Sequence, residues 1–138
     1  MDKRKIFTDR KRTVSKNKNG FKGGFIWCNF GLNIGSEFSS VTDHSVMRPC
    51  IIVKNNAFIR SGNTVVIPIT KYDKSKKVVF TDVVIIPTGS NKLKMKSIVK
   101  VANIRDISKV RLGLYIGKMD KKDMNAIETK ILMLFDIK

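Results

Sequence analysis

The chain has 138 residues, enough for one domain that buries its own core without disulfides or a structural metal. It carries 28 Lys and Arg against 11 Asp and Glu, a net charge of +17. This excess favours a polyanionic partner, most often nucleic acid, although an anionic membrane or an acidic protein would also fit. No apolar run approaches the roughly 18 residues needed to cross a bilayer. The Lys-rich N-terminus also lacks the apolar stretch of a signal peptide, so we expect a cytoplasmic protein.

The cysteine and histidine content narrows the chemistry further. Cys28 and Cys50 both lie in apolar runs without C-x-x-C spacing, which is typical of buried core thiols rather than of a metal or redox centre. With one histidine, His44, the chain offers neither a His pair for acid and base catalysis nor a zinc ligand set. Any catalysis therefore has to use other groups.

Residues 1–22 are predicted to form a flexible basic arm ahead of a folded domain over residues 23–138. The arm has nine basic and two acidic side chains, few apolar residues and no sustained period. It contributes +7 to the net charge, so the rest of the chain still carries +10. The arm could attract phosphates without specificity, or it could be only a solubilising tail.

From Gly24 onward the sequence consists of short runs rich in Val and Ile, separated by turn residues. These runs are too short for helices and predict five or six strands that close into a small β-barrel. The predicted strands are Phe25–Phe30, Pro49–Asn55, Thr64–Thr70, Val78–Ile86 and Met95–Arg105. Pro49 falls at a strand start, and Pro68 predicts an edge or a bulge.

The C-terminal segment predicts one amphipathic helix. Asp120 is the expected N-cap, and Asp123 follows in the first turn. Apolar residues then recur at steps of three and four, which predicts one buried face made of Met124, Ile127, Ile131, Leu134 and Phe135. The predicted fold class is therefore mainly β with one C-terminal helix.

Four motifs in a fixed order resemble the MazF/PemK family of bacterial toxin endoribonucleases. A first strand that leads into a Gly-Ser-Glu loop is matched by GFIWCNFGLNIGSEF at residues 24–38. An Arg-Pro strand start before an Asn pair is matched by RPCIIVKNN at residues 48–56, and a Val-rich strand ending in Ile-Thr by TVVIPIT at residues 64–70. A late Ser-(Val/Ile) and Ile-Arg-x-(Ile/Leu) motif is matched by SIVKVANIRDI at residues 97–107. Phe38, however, stands where the family commonly has Gln.

The resemblance implies an SH3-like barrel that forms a homodimer and cuts single-stranded RNA without a metal or other cofactor. The implied reaction is attack of a ribose 2′-hydroxyl on the adjacent phosphate. Arg48 matches the family's catalytic arginine, and Thr70 matches its catalytic threonine. A guanidinium stays charged and donates to two phosphate oxygens at once, so Arg48 would stabilise the transition state, while the Thr70 hydroxyl would orient the phosphate. The group that accepts the 2′-OH proton is left open.

Other residues are candidates for contact with the RNA. Ser36 and Glu37 match the family's loop before the arginine, where they would form a lip of the RNA groove or only a simple turn. His44, in the same loop, could act as acid, base or stacking platform, or be inert. Lys71 begins a group of four lysines that could contact phosphates beside the cut or form a solvated turn. Trp27, like Phe25 and Phe30, could stack on bases, but core packing is the favoured interpretation.

Three functions are compatible with these features. The first is a ribonuclease toxin inhibited by a cognate antitoxin, which could be an acidic protein or an RNA. The second is a non-enzymatic SH3-like barrel that binds RNA or DNA through charge, and the third is a family member that has lost cleavage. Only the nuclease requires Arg48 and Thr70 together on one phosphate.

Overall fold

A computed structural model describes residues 20–31 and 47–138. These residues form seven strands and one α-helix, which confirms the predicted class, mainly β with a C-terminal helix. The elements are β1 (Gly24–Asn29), β2 (Met47–Ile52), β3 (Asn63–Lys71), β4 (Asp82–Ile85), β5 (Ser97–Lys100), β6 (Arg105–Ser108), β7 (Leu112–Lys118) and α1 (Lys121–Leu134). Within this part of the chain, no helix has the length and apolar character that a bilayer span requires.

All strand pairs are antiparallel, in the order β4-β5-β3-β2-β1-β7, with β6 also pairing with β3. Because β4 and β7 stand at opposite ends of this order, the sheet formed by the described residues is open, and the predicted closure into a barrel is wrong. The predicted strand Met95–Arg105 is two strands, because a 3₁₀ turn at Val101–Asn103 interrupts it. The strand β7 is absent from the predicted set because its two glycines weaken the strand pattern.

The long strand β3 changes its partner near Pro68. Its first half, Asn63–Val66, pairs with β6, and its last residues, Ile69–Lys71, pair with β5. Pro68 has no N–H to donate, and it lies in the interval between these two ladders. The strand therefore joins two parts of the sheet, β7-β1-β2-β3-β6 and β3-β5-β4.

Both faces of the sheet are buried over much of their area, and each has its own core. The helix-side core contains Ile51 and Ile67 of the sheet together with Met124 and Ile127 of α1. The opposite core lies on the other face and consists of Ile26, Cys28, Phe30, Cys50, Ile52, Val66, Ile107 and Leu112. Successive side chains of a strand point to opposite faces, so the position of a residue in its strand decides which core it joins.

The helix α1 covers the helix-side core. Asp120 occupies the predicted N-cap position, but its carboxylate accepts a hydrogen bond from the Thr88 hydroxyl (2.7 Å) and makes no side-chain bond to the helix. Phe135, which the periodicity places on the buried face, is 56% exposed because the helix ends before it. The other predicted positions do face the core, fully for Met124 and Ile127 and partly for Ile131 and Leu134.

The loop between β4 and β5 is organised around the fully buried side chain of Asn91. Its Oδ1 accepts hydrogen bonds from the backbone N–H groups of Thr88 (3.0 Å) and Leu93 (2.9 Å), and its Nδ2 donates to the carbonyl oxygen of Ile86 (2.9 Å). The loop packs closely on β7, since a Cβ atom at Gly117 would lie 2.5 Å from the Asn91 carbonyl oxygen. The absence of a side chain at Gly117 thus allows this contact.

Candidate active site

Arg48 is the second residue of β2 and lies opposite Cys28 of β1. Alternation along the strand places its side chain on the same face as Cys50 and Ile52, the face of the opposite core. The residue is half-buried, and its Nε atom is buried. Part of the guanidinium is therefore enclosed by the protein, and only the rest of the residue is open to a ligand.

Thr70 lies on the neighbouring strand, β3. Cys50 pairs with Pro68 in the β2–β3 ladder, and Arg48 and Thr70 each stand two residues beyond that pair. A step of two residues keeps a side chain on the same face, so both belong to the face of the opposite core. The ladder itself ends at the pair of Cys50 and Pro68, so Arg48 and Thr70 lie just past its end. The two residues predicted as the catalytic pair thus occupy neighbouring positions on one face.

A third side chain, that of Lys76, reaches Thr70 from the loop after β3. The Lys76 ammonium donates to Thr70 Oγ1 (3.0 Å) and to the carbonyl oxygen of Lys71 (2.9 Å). A tight turn precedes it, in which the backbone N–H of Lys76 donates to the Asp73 carbonyl (2.9 Å) and that of Ser75 to Asp73 Oδ1 (3.1 Å). The hydrogen bonds from Ser75, followed by the charges of Lys76 and Lys71, hold the pKa of the Asp73 carboxyl below its ordinary value.

Two further cations belong to the same face. Arg105 pairs with Val66, and its guanidinium lies 5.3 Å from the centre of the Phe30 ring. Lys100 donates to the carboxylate of Asp82 (3.0 Å), whose side chain is fully buried. Arg105 therefore adds positive charge to the face that presents the catalytic candidates, which favours an anionic ligand there, whereas the charge of Lys100 is balanced by Asp82.

An apolar groove of about 320 Å³ borders Thr70 as well. Its lining includes the ring of Trp27, and Lys71, Lys92 and Lys94 add positive charge to it. Trp27 is 40% exposed, whereas Phe25 and Phe30 are buried. Core packing is thus confirmed for the two phenylalanines and wrong for Trp27. Trp27 alternates with Cys28 in β1, so its exposed ring lies on the face opposite to that of Arg48, in the groove that Thr70 also lines.

Of the other residues predicted to contact RNA, only Lys71 and the lysines that follow it lie in the described part of the chain. Lys71 is exposed at the end of β3, and as the residue after Thr70 it points to the other face, where it lines the groove. Ser36, Glu37 and His44 lie in residues 32–46, outside the described part of the chain. The β1–β2 ladder ends at the pair Asn29 and Met47, so β1 ends and β2 begins next to Arg48.

The two cysteines are part of the core, as predicted. Cys28 and Cys50 are buried free thiols in the opposite core. Burial, reinforced by the neighbouring Cys28, raises the pKa of the Cys50 thiol well above its ordinary value. Burial thus favours the thiol over the thiolate, which is typical of a structural cysteine rather than of a nucleophile. Over residues 20–31 and 47–138, no group of His, Cys, Asp and Glu is placed to hold a metal ion.

A larger cavity of about 700 Å³ lies elsewhere, near the start of α1. It is lined by residues such as Lys22, Asp120 and Glu128, and neither Arg48 nor Thr70 contributes to it. Lys22 and Glu128 form an ion pair of 2.7 Å there. Size alone would favour this cavity, whereas the placement of the charged and hydroxyl groups favours the face of Arg48 and Thr70.

Sequence reasoning missed two features of the site, the contact of Lys76 with Thr70 and the exposure of Trp27. Four lysines follow Thr70 closely and look equivalent as a pattern. The available signal was the Asp-x-Ser sequence at residues 73–75, because an Asp side chain often accepts the N–H two residues later and so reverses the chain. For Trp27 no local signal exists, since its alternation is that of a core residue.

A family profile and several solved structures match the chain. Residues 21–135 match the family described as PemK-like, MazF-like toxin of type II toxin-antitoxin system. No curated protein sequence gives a significant match. An endoribonuclease from a mycobacterial species, solved with its cognate antitoxin, shares the fold with a TM-score of 0.65 at 22% identity, over 86% of this chain and 96% of that chain.

Two other toxins share the same fold. MazF from Deinococcus radiodurans aligns with a TM-score of 0.66 at 18% identity, over 83% of this chain and 94% of that chain. The Mycobacterium tuberculosis toxin MazF-mt6 aligns with a TM-score of 0.57 at 26% identity, over 67% of this chain and 89% of that chain. Because the family profile matches most of the sequence, the chain belongs to the PemK-like, MazF-like family of toxins of type II toxin-antitoxin systems.

Proposed function

We propose that the protein is a toxin endoribonuclease that cleaves single-stranded RNA and thereby inhibits translation in the cytoplasm. The observation that carries this proposal is the placement of Arg48 and Thr70 at neighbouring positions on one face of adjacent strands. The cations Lys76 and Arg105 on the same face would attract the RNA backbone. Membership of the family supports the same activity.

The proposed reaction needs no covalent enzyme intermediate. The 2′-oxygen forms a bond to phosphorus while the bond from phosphorus to the 5′-oxygen breaks, which leaves a 2′,3′-cyclic phosphate and a 5′-hydroxyl. The proton of the 2′-OH passes to a base, which is not assigned, and the 5′-oxygen gains a proton as it leaves. Arg48 stabilises the charge that develops on the phosphoryl oxygens, and Thr70 donates to the same phosphate and orients it. No step requires a metal ion.

The proposed partner, apart from RNA, is a protein antitoxin. The family is one of type II systems, and the mycobacterial endoribonuclease was solved with its cognate antitoxin. The alternative in which an RNA inhibits the toxin gains no support from these matches. A homodimer remains the expected assembly by resemblance, and sedimentation equilibrium of the purified toxin would test it.

A direct test incubates the purified protein with a long single-stranded RNA in the presence of EDTA and maps the ends of the products. Discrete cuts that carry 5′-hydroxyl and cyclic phosphate ends are expected. Intact RNA that shifts in a native gel would instead favour the non-enzymatic RNA-binding barrel. Cleavage that stops when EDTA is added would contradict the metal-independent mechanism.

The groove beside Thr70 suggests how a base next to the cut is held. We expect Trp27→Ala to raise KM for RNA about tenfold, with a small effect on kcat, because stacking of a base on an aromatic ring contributes about 1–3 kcal/mol. Trp27→Phe should keep most of the affinity. Phe58→Ala is the matched control, since Phe58 is 63% exposed but does not line the groove. Equal losses for Trp27→Ala and Phe58→Ala would contradict a base site at Trp27, and steady-state kinetics on a short RNA would decide.

A further inference from the structure

Lys76 differs from the lysines around it because its ammonium contacts a candidate catalytic group. It donates to Thr70 Oγ1 at 3.0 Å and to the Lys71 carbonyl oxygen at 2.9 Å. Neither Lys74 nor Lys77 makes a hydrogen bond to Thr70 among the described contacts. The charge of Lys76 is therefore fixed beside one hydroxyl, while the loop as a whole remains exposed.

The loop itself directs Lys76 back to β3. Asp73 accepts hydrogen bonds from the backbone N–H groups of Ser75 and Lys76, which closes the turn. The N–H of Tyr72 donates to the carbonyl oxygen of Lys96 (3.0 Å), which anchors the start of the loop to the residue before β5. The Lys96 ammonium also lies 4.1 Å from the centre of the Tyr72 ring. These contacts limit the positions that the Lys76 side chain can take.

The contact determines what the Thr70 hydroxyl can do. A threonine hydroxyl has one proton and two lone pairs, and an ammonium group can only donate. Because Lys76 occupies a lone pair, the Thr70 proton must point away from the ammonium and is available to another acceptor. Two of the three Lys76 donors are used in the described contacts, so a third can reach an anion bound at the same place.

We propose that Lys76 is a positioning residue, which holds the Thr70 hydroxyl as a donor to the scissile phosphate through their hydrogen bond. This inference rests on the proposed ribonuclease function. The proposed role differs from a general attraction of RNA by the basic loop, because Lys76 acts only through its hydrogen bond to Thr70 Oγ1. Loss of Lys76 should therefore impair turnover more than binding.

The test is a double-mutant cycle on Lys76 and Thr70, measured by single-turnover cleavage of a short RNA. Lys76→Met keeps the length of the side chain and removes the charge, and we expect the cleavage rate constant to fall about tenfold, the size of one lost charge-assisted hydrogen bond. In the Thr70→Val background, the same substitution should change the rate constant less than about twofold, because the group on which it acts is gone. Urea unfolding of each variant would verify that the fold is retained.

Two controls separate this role from simpler ones. Lys77→Met removes the same charge from the same loop. It should leave the rate constant of single-turnover cleavage within about twofold of the parent. Any loss of RNA affinity in this variant should decrease as the salt concentration rises, as expected for an exposed contact. Asp73→Ala keeps the side chains of Thr70 and Lys76 but loosens the turn, because it removes the acceptor of the Ser75 N–H. It should lower the rate constant in the parent and not further in Lys76→Met.

The outcomes distinguish the inference from the proposed function. If the parent protein cleaves RNA and Lys76→Met slows it equally with and without the Thr70 hydroxyl, Lys76 does not act through Thr70 and the inference is wrong. If Lys77→Met lowers the cleavage rate constant as much as Lys76→Met does, Lys76 contributes only through its charge and the inference is likewise wrong. If the parent protein cleaves no RNA, the proposed function fails and this inference fails with it.

Discussion

Arg48→Ala is expected to slow RNA cleavage about a hundred- to a thousandfold, the usual loss when one preorganised donor to a developing charge is removed. Arg48 is half-buried with its Nε buried, on the face to which Thr70 also belongs, so its donors are held in place by the fold. The affinity for RNA should fall much less, because other cations remain on this face. Single-turnover cleavage and a filter-binding titration on the same RNA would measure the two effects separately.

Arg48→Lys is the informative companion to that variant. It keeps the positive charge but loses the planar fork that donates to two oxygens at once, so we expect it to remain at least about tenfold slower than the parent. Folding should be compared by urea unfolding, since Arg48 lies opposite the buried Cys28. A well-folded Arg48→Ala protein that cuts at the parent rate would exclude Arg48 from the mechanism.

Asn91→Ala should lower the free energy of unfolding by about 3 kcal/mol, because it removes three hydrogen bonds of a fully buried side chain and leaves their partners unsatisfied. The loop that Asn91 holds also carries Lys92, Leu93 and Lys94, which line the groove beside Thr70. Loss of stability should therefore be accompanied by weaker RNA binding at temperatures well below unfolding.

Urea unfolding followed by circular dichroism would measure the effect. Asn125→Ala on the exposed side of α1 is the matched control and should change stability by less than about 0.5 kcal/mol. If Asn91→Ala unfolds at the same urea concentration as this control, the hydrogen bonds of the Asn91 side chain contribute little to the free energy of unfolding.

The sequence was sufficient for the class of fold, and the family resemblance named Arg48 and Thr70 as the candidate pair. Short runs rich in Val and Ile identify β2 and β3, and the Arg-Pro sequence at residues 48–49 marks the start of β2. The positions of Met124 and Ile127 likewise follow from the helical period. These features are local, so they can be derived without knowledge of distant contacts.

Other features depend on contacts far apart in the chain and could not be derived. The partner change of β3 at Pro68 depends on where β5 and β6 dock, and the exposure of Trp27 depends on which elements leave its side of the sheet open. The contact between Lys76 and Thr70 depends on a turn geometry that four similar lysines do not reveal. The open sheet was missed because β7 is a weak strand by composition.

Because Cys28 and Cys50 are buried, the rate at which their thiols are labelled reports local opening of the sheet. A reagent such as iodoacetamide can reach these sulfurs only after β1 and β2 separate, so alkylation should proceed at the pace of that opening rather than of the chemistry. Cys28 lies opposite Arg48, and a bound oligonucleotide that stabilises the native sheet would slow the labelling. The gain in mass per molecule over time would then detect occupancy of the site in variants that no longer turn over.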